Sequence, residues 1–318
     1  ELFIRLVKKA DVLVENFTPG TMQKLGLSYD DLKEENPGLV YCSISGFGQT
    51  GRYAGRSALD IVVQAMGGLM SITGEAGAAP VRVGISIGDI VAGLFSCLGI
   101  CSALFERKGS GLGQFLDISM LDCQLTTMEN AFARYFATGV VPGPMGSRHP
   151  AATPFQAFPT KDGWIVIAIF GGNPTQWALF CSAVGQPSWI DDPRFQTAWG
   201  RTQHISLLEP VIAEATRQRT TEEWEKDLTE RGIPCGPVNT VDLVAKDPQV
   251  IDRGMLLELP HPRFGKWTYV NSPFKFSRNS TGVRFIAPKL GEHTSEVLSN
   301  MLGLLGGEIA NLRYEEAI

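Results

Sequence analysis

Asp89 is the lone charged residue in the stretch "GISIGDIVAGLFSCLGICSALF" (84–105), and Gly84, Gly88 and Gly93 surround it. A carboxylate in this setting has two chemical uses. At the start of a helix it accepts backbone N–H bonds and complements the helix dipole. Ionised and within reach of an activated acyl group, it is a nucleophile. The flanking glycines would let a bulky substrate approach. Residue type and spacing leave both readings open.

Other chemistries find less support in the residues. The four histidines (His149, His204, His261, His293) are far apart and none forms an H-x-x-x-H pair. The six cysteines lack metal-ligand spacing, Cys97 and Cys101 included. A metal centre is not expected. "ISISGFG" places Ser45 after a strand-like run but lacks the leading glycine of a hydrolase nucleophile elbow. "GFGQTG" (46–51) does not match the G-x-G-x-x-G of a dinucleotide site.

Lys and Arg number 28 against 33 Asp and Glu, giving a formal charge of −5 with both signs interspersed. No basic footprint for nucleic acid is expected. The uncharged run Ile90–Phe105 falls short of the ~20 residues of a membrane span, so no membrane partner is expected either. The cysteines read as buried free thiols, and the expected location is cytoplasmic. The chain opens on Glu1 inside a helix-like segment, "ELFIRLVKKA", which suggests that an N-terminal portion is missing.

The elements that would position Asp89 follow from periodicity. "ADVLVEN" (10–16) and "LVYCSISGFG" (39–48) read as buried parallel strands, each running into a turn or a glycine-rich loop. Between them, Ser28 and Asp31 have capping-box spacing. "ALDIVVQAMGGLMSITG" reads as a helix, and Asp89 opens another of about 17 residues. "QFLDISML" is a strand, and a helix capped by Asp122 follows. Strands alternating with helices predict an α/β domain with a mostly parallel sheet and its ligand at the carboxyl ends of the strands.

From about residue 140, "VVPGPMGSRHPAATPF" reads as a linker or active-site loop. "GWIVIAIF", "PTQWALFCSAVG" and "TTEEWEKDLTERG" then suggest a smaller α+β domain, its last helix N-capped by Thr and closed at Gly232. Short strand-like pieces follow, then a helix near 293–303 and a polar tail. The expected division is a large domain over 1–150, a small one over 151–245, and a segment 246–318 returning to the first.

"ADVLVENFTPGTMQKLGLSYDDLKEENPGLVYCSISGFGQTG", "GISIGDIVAG", "ERKGSGLGQFLDISMLD", "GIPCGPVNTVDLVAKDPQV" and "PKLGEHTSEVL" occur in order along the chain. Together they resemble the class III CoA-transferases, the CaiB/BaiF family, nearest the succinyl-CoA-dependent dicarboxylate branch. The resemblance implies a Rossmann-like α/β large domain, a small domain and an interlocked homodimer. It makes Asp89 the nucleophile that exchanges CoA between an acyl-CoA and a carboxylic acid. Coenzyme A is then a substrate, and no tightly bound cofactor is implied.

By the same resemblance Asn16, Phe17, Thr18, Lys24, Arg56, Ser57 and Asp60 border coenzyme A. The loop bearing Gly46, Gly48 and Gln49 would offer N–H groups to the oxyanions, and Arg148 and His149 would face the acid. The related 2-methylacyl-CoA racemases carry a G-H-D stretch where this chain reads Ala58-Leu59-Asp60, which favours transfer over racemisation. The resemblance is also compatible with a formyl-CoA:oxalate-type transferase or with an inactive CoA-binding fragment.

Overall fold

The computed structural model describes residues 1–171 and 174–318. They form two compact units, Glu1–Gly146 with His293–Ile318, and Ser147–Glu292.

In the first unit, β1 (Val12–Glu15), β2 (Val40–Ser45) and β3 (Phe115–Ser119) form a parallel sheet in the order β1-β2-β3. β2 is central and almost wholly buried, as its run of apolar and small residues requires. β1 reaches β2 through two short helices, Thr21–Lys24 and Tyr29–Leu32, and the second begins with the expected Ser28–Asp31 capping box. β2 reaches β3 through helices Asp60–Met66, Leu69–Ile72 and Ile87–Ser110.

The sheet has two unlike faces, because successive side chains on a strand point opposite ways. Ile44 and Ile118 pack with Val63, Val91, Ala92, Met120 and Cys123 on the face that carries the long helix. On the other face Leu13 and Tyr41 pack with Val7, Met22, Leu32 and Leu39, and Tyr29, Tyr41 and Phe115 form an aromatic cluster.

The Ile87–Ser110 helix has 24 residues and ends at Gly111, whose left-handed φ of 77° suits a glycine C-cap. Near that end Arg107 donates to the carbonyl of Gly38 at 2.7 Å and pairs with Asp11 at 2.6 Å. Those residues precede β2 and β1, so the helix runs antiparallel to the strands. At ~1.5 Å per residue it rises about 27 Å from Arg107 back to Asp89, longer than a six-residue strand. Its first turn therefore stands at the carboxyl edge of the sheet.

Two expectations about this helix need correction. The uncharged run looked too short to cross a membrane, yet the helix that contains it is long and apolar enough by length and composition. It nonetheless buries Gly88, Val91, Ala92, Ser96 and Ala103, with Val91 and Ala92 in the cluster that includes Ile44 and Ile118 of the sheet. The thiols of Cys97 and Cys101 are exposed, because they lie on the helix face turned away from that contact. Cys42, Cys123 and Cys181 are buried.

After β3, the cap of helix Met120–Thr127 is Ser119, whose Oγ accepts from the N–H of Asp122. Asp122 is thus the third helical residue and not the expected cap. The C-terminal segment forms helices Thr294–Leu302 and Gly306–Tyr314. The second occupies the expected polar tail: Leu298, Leu304 and Ile309 form a small core against which Leu2 packs.

The second unit holds an antiparallel sheet of β4 (Phe155–Pro159), β5 (Trp164–Ala168) and β6 (Cys235–Pro237), in that order. Helices Pro174–Ala183, Ile205–Thr216 and Thr221–Glu230 contribute to its core. Thr220 N-caps the last with a full capping box; Arg231 is the C-cap and Gly232 follows at φ 69°. A hairpin of β7 (Leu256–His261) and β8 (Gly265–Val270) belongs to this unit as well.

Candidate active site

Asp89 is not a helix cap. The helix begins at Ile87 with Ser86 as N-cap, so Asp89 is its third residue. The first-turn N–H of Gly88 goes instead to Asp60, whose Oδ1 accepts it at 2.8 Å. The other oxygen of Asp60 accepts from Nε2 of Gln64 at 2.7 Å, and Oε1 of Gln64 accepts from the N–H of Val83 at 2.9 Å. Asp60 and Gln64 are both buried. A residue 28 positions upstream of Gly88 thus performs the capping, and it frees the Asp89 carboxylate to face solvent.

Two effects raise the Asp89 pKa above the ordinary carboxylate value. Partial removal from water is the larger and the negative charge of Asp60 the smaller. A carboxylate so placed is less well stabilised as an anion than one fully in water.

The loop after β2 joins this arrangement through one tight contact. A Cβ on Gly46 would lie 2.2 Å from the Cβ of Ala58, so only glycine permits the approach. Ala58 precedes Asp60 by two residues, and Asp60 holds Gly88. Contact by contact, the glycine loop, the Asp60 turn and the first turn of the Asp89 helix converge at the carboxyl edge of the sheet. The Gly46 carbonyl also accepts from Leu121 at 3.1 Å, which ties the helix after β3 to the same edge.

Around this centre the other expected residues fall into separate groups. Asn16 donates from Nδ2 to the carbonyl of Ile44 at 2.7 Å, fixing the loop after β1 against β2. Phe17 is exposed, and its N–H donates to Glu15 at 2.7 Å. Thr18 lines a cleft of about 130 Å³ together with Glu15, Tyr29, Tyr41, Ser43 and Gln49. Lys24 is exposed at the end of its short helix. Arg56 lies over Phe47 and Tyr53, 5.5 and 4.9 Å from the ring centroids, which orients an exposed guanidinium beside exposed Ser57. Gly48 adopts φ 86°, a left-handed turn that glycine enters without strain. The N–H of Gln49 is already taken by Asp117, at 2.9 and 3.0 Å from its two oxygens.

Asp60 is more deeply committed than a ligand contact would be. Both its oxygens serve the protein's own groups, so its role toward the site runs through Gly88. Leu59, beside it, is exposed and apolar and has no proton to move.

Arg148 and His149 belong to the second unit. Arg148 is paired with Glu209, which also accepts from Gln156 at 3.0 Å. The His149 ring lies 4.8 Å from Phe155 and 5.5 Å from Phe170, and its Nδ1 accepts from the N–H of Ala151 at 3.2 Å. Sequence reading missed Gln64, Glu15, Ser43 and Asp117. For the last three a signal existed in strand parity, since they point to the face opposite Ile44 and Ile118.

Comparisons with known proteins bear on the family and the fold. The model of CoA-transferase family III matches residues 1–294. The chain is 35% identical over 297 residues to a succinate–glutarate CoA-transferase of Agrobacterium fabrum, covering 93% of this chain and 74% of that protein. It is 36% identical over 316 residues to a succinyl-CoA–D-citramalate CoA-transferase of Chloroflexus aurantiacus, covering 99% and 78%. Among solved structures, a CaiB/BaiF family protein from Brucella suis is similar at a TM-score of 0.82 and 36% identity, over 94% of this chain and 78% of that one.

Proposed function

The chain belongs to CoA-transferase family III and is a transferase enzyme, and we propose that it moves CoA from succinyl-CoA to a second dicarboxylic acid through Asp89. The family-level activity, transfer of CoA to carboxylic acids, has coenzyme A as a substrate. The named relatives support the choice of donor, since both are succinyl- or succinate-dependent by name.

The observation that carries the mechanism is the division of labour between two carboxylates. Asp60 holds the helix start, and Asp89 is left without a capping duty at the carboxyl edge of a parallel sheet. An oxygen of Asp89 attacks the thioester carbonyl; the C–S bond breaks and CoA leaves as thiolate. The thiolate then attacks the Asp89 carbonyl of the mixed anhydride, releasing the donor acid and leaving an aspartyl-CoA thioester. The acceptor carboxylate attacks that thioester, giving a second anhydride and thiolate. Attack of the thiolate on the acceptor's carbonyl forms the new acyl-CoA and restores Asp89. Each hard exchange is divided into two acyl transfers.

The reading includes a homodimer of the interlocked type. Its support is the outer face of the nucleophile helix, where Ile90, Leu94, Leu98 and Phe105 are exposed. Side chains at this spacing form an apolar stripe that a second copy would cover.

The test is to incubate the protein with succinyl-CoA and a panel of acids (glutarate, citramalate, itaconate, malate, oxalate) and to look for new acyl-CoA species by mass spectrometry. The wild-type protein makes a new thioester and Asp89→Asn makes none. Transfer that survives in Asp89→Asn overturns the nucleophile assignment. Exchange of the α-hydrogen of 2-methylacyl-CoA without transfer would replace the reading by racemisation.

A further inference from the structure

On the sheet face away from the nucleophile helix, the register aligns Glu15 with Ser43 and Ser43 with Asp117, one residue from each strand. Such a polar row across a parallel sheet serves no apolar core. Gln49 spans it: its Nε2 donates to the Ser43 hydroxyl at 2.8 Å, and its backbone N–H donates to both oxygens of Asp117. The Ser43 hydroxyl in turn bonds Glu15, whose second oxygen accepts from the N–H of Phe17 at 2.7 Å. One continuous set of hydrogen bonds therefore links the loop after β1 to the glycine loop after β2.

Within that set the Asp117 contact has a distinct place. It grips the backbone of Gln49 immediately after Gly48, the residue whose left-handed φ turns the loop. Any Cβ at Gly48 would meet the Asp117 oxygens at 3.5 and 3.6 Å, so turn and carboxylate lie in contact. The bond is charge-assisted and uses both oxygens of one carboxylate, which fixes direction as well as distance. Asp117 itself is exposed, with no part in either core that flanks the sheet.

We propose that Asp117 is a positioning residue for the transfer reaction: it holds Gly48–Gln49 so that the loop from Gly46 keeps its place against the Asp60 turn and the Asp89 helix. The inference rests on the proposed transferase function. Because the loop would act on oxyanions that form only during reaction, losing the hold reduces kcat and leaves binding of the acyl-CoA nearly untouched.

The experiment compares wild type, Asp117→Ala and Asp117→Asn in succinyl-CoA-dependent transfer, with hydrogen exchange of the 44–52 segment and thermal unfolding measured alongside. Asp117→Ala is expected to lower kcat roughly 10- to 100-fold with KM for acyl-CoA within about twofold, the scale of a small misplacement at a reacting centre. Asp117→Asn keeps one acceptor oxygen for the Gln49 N–H and recovers most of that loss. The Gln49 amide exchanges faster in Asp117→Ala.

A kcat unchanged in Asp117→Ala, or a loss carried entirely by KM, overturns the proposal, and so does equal damage in both variants. If the wild-type protein makes no new thioester, the transferase reading is what fails. Hydrogen exchange then decides the loop claim by itself: unchanged protection at Gln49 in Asp117→Ala refutes it.

Discussion

The two units bury their apolar residues in opposite ways. In Ser147–Glu292 one cluster gathers Phe158, Ile165, Ile167, Trp177, Phe180, Leu208, Ile212 and Trp224, among others, all nearly or wholly inaccessible. The first unit divides its core into three smaller clusters. It also leaves Leu94, Leu98 and Phe105 on the longest helix more than 60% exposed. The second unit joins its core in one cluster and leaves its exposed apolar residues, such as Val241, Val270 and Phe285, outside it; the first keeps an apolar stripe on one helix, an open cleft and a carboxylate at a sheet edge. A single packed core holds a unit together by itself, whereas a core split among smaller clusters leaves more of the fold to contacts between elements.

The largest effect that would break this comparison lies in the core of the second unit. Leu208→Ala removes a side chain with no exposed surface, and is expected to cost roughly 2–5 kcal/mol in denaturant unfolding. A cost near zero would show that the cluster is not a single packed core. Leu98→Glu, on the stripe, is expected to leave helicity and thermal unfolding of the monomer intact while converting a dimer to monomer in sedimentation. A wild-type monomer, or a variant that still dimerises, removes the argument for a second copy.

The smallest effect concerns the two carboxylates. The charge of Asp60 contributes to raising the Asp89 pKa. Asp60→Asn keeps an oxygen for the Gly88 N–H but removes that charge, so the Asp89 pKa should fall. The proposed attack needs an ionised Asp89, so the acid limb of the kcat/KM profile is expected to move to lower pH. The same shift has a stability sign. A raised folded pKa favours the protonated form, so the contribution of Asp89 is fully present below the ordinary carboxylate pKa. It is lost as pH rises through the folded value. Asp89→Asn should then be no less stable than wild type at neutral pH. A limb that does not move in Asp60→Asn would show that the two groups are not electrostatically coupled.

Much of the first unit was legible because its signals are local. Alternating runs of aliphatic residues and glycine-rich turns marked β1, β2 and β3, and Ser28 with Asp31 marked a helix start that the structure reproduces. The capping residues were less legible, for one cause. Asp89 and Asp122 each lie near a helix start with a capping residue's chemistry, and in both cases another residue has the role. Ser119 is only three positions from Asp122, yet it reads as the end of a strand. Asp60 is 28 positions from Gly88, beyond the reach of any spacing rule. Exposure of Cys97 and Cys101 was also illegible, since apolar neighbours on a helix do not reveal which side packs.

The ordered motifs along the chain determined the family, the α/β class and the identity of the candidate nucleophile, since each is written in contiguous residues. The tertiary structure decided which carboxylate caps and which is free, which strand residues stand side by side in the Glu15–Ser43–Asp117 row, and which helix face stays uncovered. Those depend on strand register and on contacts between residues tens of positions apart. Strand parity marks the face of each such side chain, but which residues of neighbouring strands stand opposite one another is set by the pairing of segments tens of positions apart.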